Sequence, residues 1–292
     1  MKRGRNSEER LAWLLCAPAF LTMLVVAAYP IFYAIWLSLF RYDLRFPDQR
    51  EFVGIGNYLS VLTSDVWWNA FGNTVFLTIC SVVIEFVLGM ALALIMHRAL
   101  FLRRTLRTAV LVPYAIITVV AALAWKFAFD PVTGFVNPLL AVDRAWLAER
   151  WSAFLVIILT EVWKTTPFMS LLLLAGLATV PRDLLLAARV DGASAWQCFR
   201  RITLPLMKPA ILVALLFRTM DAFRIFDVVF VQTRGGQGTE TVSVVAYDTL
   251  ITRLNLGLGA AVSVLIFLAA AVIAALFLKS LGERASAPEA RR

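Results

Sequence analysis

The architecture turns on residues 181–209, Pro181-Arg-Asp-Leu-Leu-Leu-Ala-Ala-Arg-Val-Asp191-Gly192-Ala193-Ser-Ala-Trp196-Gln-Cys-Phe199-Arg-Arg-Ile-Thr-Leu-Pro205-Leu-Met-Lys-Pro209. Pro181 suits the first turn of a helix, and Asp183 favours the positive end of its dipole. Gly192 can end that helix by adopting φ > 0. A second short helix follows, with Trp196, Phe199 and Ile202 on one side at spacings of three. Pro205 and Pro209 mark where the chain leaves the loop. The pattern is therefore helix, glycine turn, helix, with an apolar face beside Arg200 and Arg201. Such a pair forms a docking surface for a partner, or an amphipathic helix resting on lipid; periodicity alone allows both.

The flanks of this loop are long apolar runs. The 292 residues are 61% hydrophobic and 16% charged, with a mean hydropathy of +0.80. A soluble domain holds about 45–50% apolar and about 25% charged residues, so a water-soluble fold would expose large apolar patches. Six stretches reach the roughly 20 apolar residues that a spanning helix needs: 11–40, 72–96, 106–129, 152–180, 206–231 and 257–278. The first exceeds a signal-peptide core and is expected to stay in place, bent at Pro30. Of the 28 Lys and Arg, 17 fall in the segments sharing a side with the N-terminus, residues 181–209 and the C-terminal tail, and 7 on the other side. The positive-inside rule then places both termini in the cytoplasm. The net charge of +9 is a topology signal and not a nucleic-acid footprint. The expected fold is an all-α integral membrane protein of six transmembrane helices. Residues 1–10 form a cytoplasmic N-terminus, 11–280 the membrane domain with two short loop helices at about 182–202, and 281–292 a cytoplasmic tail, disordered beyond residue 282.

Eight ionisable residues fall within the expected spans: Glu85, Lys126, Glu161, Lys164, Arg218, Asp221, Arg224 and Asp227. Each costs about 2.5–3.5 kcal/mol at mid-bilayer, so a lipid-facing position is excluded for them as a group. Glu161 and Lys164 can meet on one helical face. Arg218, Asp221, Arg224 and Asp227 alternate in sign at the same spacing and wind as a slanting ribbon. Either these charges line a polar pathway or they are ion pairs joining helices. Trp163, between Glu161 and Lys164, is an aromatic face for a neutral polyhydroxylated ligand or an interfacial anchor. Pro167 leaves the Trp163 carbonyl without its helical partner. Glu85 and Lys126 have no sequence-local partner and receive no role. The lone His97 and the three cysteines, Cys16, Cys80 and Cys198, offer neither a metal site nor a disulfide framework. No clustered centre for an enzyme is present, and no G-x-x-x-x-G-K-[ST] loop, so any ATP must be hydrolysed by another chain.

Ala187-Ala188-x-x-Asp191-Gly192-Ala193, then Phe199, Ile202, Leu204-Pro205 and Pro209, resemble the cytoplasmic loop of bacterial ABC-importer permeases. The family often has Glu where this chain has Leu186, which removes one potential salt bridge to the ATPase. Phe223-Arg-Ile-Phe226-Asp227, Thr233-Arg-Gly235-Gly236, Thr239-Glu-Thr241, Tyr247 and Gly257-x-Gly-Ala-Ala resemble the fifth-to-sixth-span segment of carbohydrate permeases of the maltose and glycerol-phosphate type, with Gln237 where those usually carry Pro. Tyr29-Pro30-Ile31, Ile55-Gly56-Asn57-Tyr58, Ile84-Glu85-Phe86-Val87-Leu88-Gly89 and Glu161 to Ser170 are similar to the first permease subunit of actinobacterial trehalose importers.

The resemblance implies a type I ABC-importer permease in the bacterial cell membrane, importing a disaccharide such as trehalose by alternating access. Its implied partners are a second homologous permease, two ATP-binding subunits carrying ATP and Mg, a lipid-anchored extracytoplasmic sugar-binding protein and membrane lipid. No cofactor on this chain is implied. Ala187, Ala188, Asp191, Gly192, Ala193, Trp196, Phe199 and Pro205 would couple to the ATPase. Glu161, Trp163, Lys164, Asp221, Arg224 and Asp227 would line the sugar path, and Gly235 and Gly236 would face the binding protein. The alternative is a self-sufficient secondary transporter whose intramembrane carboxylates couple protons or Na⁺.

Overall fold

Within a bilayer every backbone amide must be satisfied inside its own segment, and an apolar chain of this pattern does so by helix. The computed structural model describes residues 2–98 and 103–285, with side chains described for 13–97, 105 and 108–280. Helices α1 (Lys2–Met23) and α2 (Tyr29–Ser38) are joined by a π-turn, Leu24–Ala28, and strands β1 (Phe40–Arg41) and β2 (Glu51–Phe52) pair antiparallel. They are followed by α3 (Gly56–Leu62), α4 (Asp65–Arg98), α5 (Arg103–Ala115), α6 (Thr118–Ala128), α7 (Val136–Leu140) and α8 (Arg150–Ala178). The loop helices are α9 (Arg182–Val190), α10 (Ala195–Cys198) and α11 (Leu204–Leu206). The last are α12 (Lys208–Ala222), α13 (Asp227–Gln232), α14 (Val242–Tyr247) and α15 (Leu256–Ala285). Residues 283–285 of the expected tail thus continue a helix, and 286–292 lie outside the described residues, as do 99–102 within the basic segment that begins after His97.

Four described helices are long and apolar enough to cross a membrane: Trp13–Ser38, Asp65–His97, Arg150–Ala178 and Leu256–Ser280. Two bent pairs bring the number to six if each is one span: Thr108–Ala115 with Thr118–Ala128, bent by 90°, and Ala195–Leu206 with Lys208–Gln232, bent by 69°. The third span is therefore not the continuous helix its hydropathy suggests. Pro113 weakens the helix, the β-branched run Ile116-Ile117-Thr118 disfavours its continuation, and Ile117 is extended at φ −57°, ψ 134°. A second interruption, with α12 ending at Ala222, separates it from α13; Phe226 there sits at φ −134°, ψ −63°. The distortion expected at Pro30 falls one turn earlier, in the π-turn containing Val26, whose carbonyl is the one that Pro30 cannot serve.

The chain divides into two compact units. In the first, residues 1–64 with 245–268, the Asn57 amide donates to the Ser38 carbonyl at 2.8 Å and the Phe40 carbonyl at 2.9 Å. The Ser38 and Tyr58 hydroxyls share a hydrogen bond of 2.6 Å. The Ile55-Gly56-Asn57-Tyr58 motif thus ties off the end of α2. Gly257 donates to the Tyr42 carbonyl at 3.0 Å, and a Cβ there would collide with the Phe40 carbonyl. In the connecting loop, hydrogen bonds from Arg45 hold the Asp43 carboxyl down to about 2, so that loop keeps its ion pair across the physiological range.

In the second unit, residues 65–244 with 269–292, α4 packs chiefly on α8. Gly89 permits the approach: a Cβ would lie 2.8 Å from Met169 Cγ. Gly176 does the same for α12, where a Cβ would meet the Ala210 methyl at 2.6 Å. Small residues at such crossings let helix backbones come close where no hydrophobic force drives helices together in lipid. One core cluster contains Met169, Leu173, Met207 and Ala214, and a second contains Leu77, Ile157, Val228 and Val229.

A charged junction fastens α4, α8 and α12. The Arg218 guanidinium donates through Nε and Nη2 to both oxygens of Glu85, with Nη2 to Oε1 at 2.8 Å. Nη2 also reaches Glu161 Oε2 at 2.8 Å, and Nη1 donates to Asp221 Oδ2 at 2.6 Å. The Thr165 hydroxyl lies 2.8 Å from Glu85 Oε1. Arg218 and Glu85 are fully buried. Removing one partner from a buried ion pair costs about 3–5 kcal/mol, because the other charge is stranded. Arg218→Met is expected to destabilise the detergent-solubilised protein by that amount, and Glu85→Gln by less. A double-mutant cycle on the thermal or denaturant transition measures the pair; additive effects would show that the two side chains are not coupled.

Candidate functional site

Both interruptions border one cleft of about 380 Å³, within the range of small-molecule sites. Tyr114 and Thr118 come from either side of the α5–α6 break, and Glu161, Lys164 and Thr165 from α8. Asp221, Arg224, Ile225, Phe226 and Asp227 come from the end of α12, the second break and the start of α13. Non-helical backbone at membrane depth is tolerated where it lines a cavity and not where it faces lipid.

Five of the six expected path residues meet here: Glu161, Lys164, Asp221, Arg224 and Asp227. Trp163 is not among the lining residues; it is 39% exposed, with its ring 6.0 Å from that of Trp125. Two helical residues beyond Glu161, it is turned by about 200°, nearly to the opposite face. Glu161 and Lys164 do not pair with each other. The carboxylate goes to Arg218, whose fork can hold two carboxylates at once, and the ammonium lies 5.4 Å from the centre of the Tyr114 ring. Tyr114 in turn stacks on Phe168, at 5.3 Å and 12° between planes.

The ribbon of alternating charges survives only in its first step, Arg218 to Asp221. The chain leaves the helix at Phe223, so Arg224 and Asp227 lose the spacing that would pair them. Arg224 Nε instead approaches the Met220 carbonyl at 3.3 Å. Asp227 opens α13, where a negative charge suits the helix dipole. Asp221, with 70% of its side chain exposed, is the most open of the junction residues that reach the cleft, beside Glu161 and Thr165. The cleft thus offers ammonium and guanidinium donors, carboxylate acceptors, the Thr118 and Thr165 hydroxyls and two aromatic rings, a set suited to hydroxyl-rich ligands. Among the described residues no His/Cys/Asp/Glu group has the arrangement of a metal site.

Local spacing in the sequence gives no site role to Glu85, Lys126, Tyr114, Thr118 or Thr165. The expected spans hold four acids and four bases, so neither their balance nor any local spacing identifies Glu85 as the partner of Arg218. Lys126 donates to the Val231 carbonyl at 3.0 Å, linking α6 to the C-terminal turn of α13.

The loop helices are built as the residue pattern predicts. Gly192 has φ +80°, its N–H bonds to the Arg189 carbonyl at 3.1 Å, and the Ala193 N–H bonds to the Ala188 carbonyl at 2.9 Å. These two bonds form a Schellman motif, so Ala188, Asp191, Gly192 and Ala193 together end α9. Ala187 accepts from the Asp191 N–H at 3.0 Å. Ser194 and Gln197 form a reciprocal capping box that starts α10. Trp196 packs on Phe199, with ring centres 5.6 Å apart, yet stays 65% exposed. Leu184, Leu186 and Val190 are exposed as well, whereas Phe199 packs partly against the core. Pro205 lies in α11, and buried Met207 marks the bend into α12.

At the opposite end of α13, residues 233–241 make a tight turn. Gly235 is left-handed at φ +78° and buried; a Cβ would sit 2.7 Å from Glu240 Cγ. Gly236 is half-buried. Asn73 of α4 donates to the carbonyls of Gly238 at 2.9 Å and Glu240 at 2.8 Å, and itself accepts from Arg150 at 2.9 Å.

Residues 85–286 match the family described as the binding-protein-dependent transport system inner membrane component. The chain is 54% identical over 286 residues to the trehalose transport system permease protein SugA of Mycobacterium tuberculosis, covering 98% of this chain and 93% of that one. It is 40% identical over 278 residues to the trehalose/maltose transport system permease protein MalF of Thermococcus litoralis, covering 93% and 94%. In fold it is similar to a chain of a bacterial ABC transporter that imports the acidic polysaccharide alginate, with a TM-score of 0.81 at 22% identity over 97% and 99% of the two chains. With its several apolar helices, its cleft at two helix breaks and its helix–glycine–helix loop, the chain belongs to the binding-protein-dependent transport system inner membrane component family, as a multi-pass, non-catalytic permease.

Proposed function

We propose that this chain is one transmembrane half of an ATP-driven importer of a disaccharide of the trehalose type. It would act with a second homologous permease, two ATP-binding subunits that hold ATP and Mg, and a lipid-anchored extracytoplasmic sugar-binding protein. The similarity to trehalose permeases over almost the whole chain supports the choice of sugar. The domain reading has six spans, counting each bent pair once, with residues 1–10 and the tail from 281 in the cytoplasm; the basic charge on those segments and on the α9–α10 loop supports it.

The observation that carries the mechanism is the continuity of α12. It leaves the loop at the Met207 bend, runs for 15 residues, roughly 22 Å, and ends at Ala222, beside Asp221 and the break that lines the cleft. Arg218 locks this rod to α4 and α8. Nucleotide-driven closure of the ATP-binding subunits would move α9 and α10 and be delivered through α12 to the cleft. The exposed apolar side chains of α9 and α10, Leu184, Leu186, Val190 and Trp196, suit burial against such a subunit. Ala187, Ala188, Asp191, Gly192 and Ala193 set the angle between the two helices, Phe199 anchors the second to the core, and Pro205 precedes the bend. Glu161, Lys164, Asp221, Arg224 and Asp227 line the sugar path, with Trp163 beside it. Gly235 shapes the turn and Gly236 lies on the side offered to the binding protein.

Three outcomes are expected in proteoliposomes holding the assembled importer, its binding protein and labelled trehalose. Gly192→Val, which forces a β-branched residue into the left-handed region, should abolish ATP-dependent uptake without loss of membrane insertion. Gly192→Asn should keep most of it, since Asn tolerates that conformation. Lys164→Ala and Asp227→Ala should each lower uptake roughly tenfold or more, the worth of a charged hydrogen bond, and Trp163→Ala should lower it less. Uptake by this chain alone, without ATP-binding subunits, would overturn the reading in favour of an ion-coupled carrier.

A further inference from the structure

Where α4 and α8 end beside the loop helices, two adjoining cavities share His97, Val180 and Arg182. The larger, about 490 Å³, is walled by Met96 and by Leu171, Leu174, Ala175 and Ala178 of α8. The smaller, about 180 Å³, extends under α9 to Arg189. Its span side is apolar, and its loop side carries Arg182 and Arg189 among Leu185, Ala195, Cys198, Phe199 and Thr203. No carboxylate lines either cavity among the described residues, and neither Arg182 nor Arg189 meets one there.

Arg182 and Arg189 are both exposed, and two guanidiniums at a membrane surface with no carboxylate beside them attract an anionic headgroup. The apolar wall calls for something besides water: residues 171–178 cover about 10 Å of helix, and Ala175 and Ala178 are exposed, so the larger cavity opens sideways from the span. A soluble phosphate would satisfy the arginines and leave that wall bare. We propose that these cavities hold one anionic phospholipid of the phosphatidylglycerol type. Its phosphate sits beside Arg182 and Arg189, and one acyl chain lies along α8 over Ala175 and Ala178. Basic pockets between spans at a membrane surface take anionic headgroups on the same grounds. Since Arg182 and Arg189 belong to α9, the lipid would tether the loop helix to the bilayer and hold it against the end of α4. The inward orientation of the loop proposed above determines only which leaflet supplies the lipid.

The test measures lipid retention and not transport, so it stands apart from the importer reading. The full-length protein, purified with its co-expressed partner subunits, is equilibrated with vesicles of phosphatidylcholine containing a minor fraction of deuterated phosphatidylglycerol, then washed and weighed by native mass spectrometry. Retained phosphatidylglycerol should be enriched on the order of tenfold over its share in the vesicles. Arg182→Gln with Arg189→Gln should abolish the enrichment, and Arg182→Lys with Arg189→Lys should keep most of it. Ala175→Trp, which fills the apolar wall and leaves every charge, should also abolish it. Equal retention of the two lipids, or enrichment unaffected by the glutamine pair, overturns the proposal. Enrichment that inorganic phosphate competes away and Ala175→Trp leaves intact overturns it in favour of a soluble anion.

Discussion

Arg218 is the charge around which the second unit is organised. A guanidinium at membrane depth cannot be left without acceptors, and its planar fork can satisfy more than one carboxylate at once. Here it takes Glu85 from α4, Glu161 from α8 and Asp221 from its own helix. A single buried cation thereby sets the relative position of three helices. The glycines at positions 89 and 176 allow the close approach of the backbones that this arrangement needs.

The same junction has a dry side and a wet side. Arg218 and Glu85 are sealed within the packing, whereas Asp221 opens onto the cleft. The cleft exists because two apolar helical segments are interrupted, and the freed backbone faces polar space. Residues flanking both breaks contribute Tyr114, Thr118, Arg224 and Asp227 to one lining. Rigidity on one side and broken backbone on the other is the arrangement expected of a site that must be held in place and still change shape.

Particular residues show how far the pattern of the chain could be read. The Asp191–Gly192 turn was legible because a Schellman end is local: it needs only a left-handed residue and carbonyls within five positions. The apolar runs were legible because bilayer thickness dictates their length. The Glu161–Lys164 pair failed because a spacing of three permits contact but does not select it over a better partner from α12. The ribbon after Arg218 failed because it assumed an unbroken helix through Phe223. Trp163 illustrates a third case, in which adjacency in sequence puts a side chain on the other face of the helix.

By itself the amino-acid sequence determined that this chain is a helical membrane protein, which segments are apolar enough to span, how the basic residues are distributed between them, and that a helix–glycine–helix loop interrupts them. Each of these follows from composition, local spacing or the conformational preferences of single residues. Tertiary structure alone decided that Glu85 is the chief partner of Arg218, 133 positions away, that two apolar helical segments break, and that the breaks share a cleft. Pairing over such a distance depends on which helix faces come together, and that is settled by packing and desolvation of the whole unit, which no short stretch of sequence encodes.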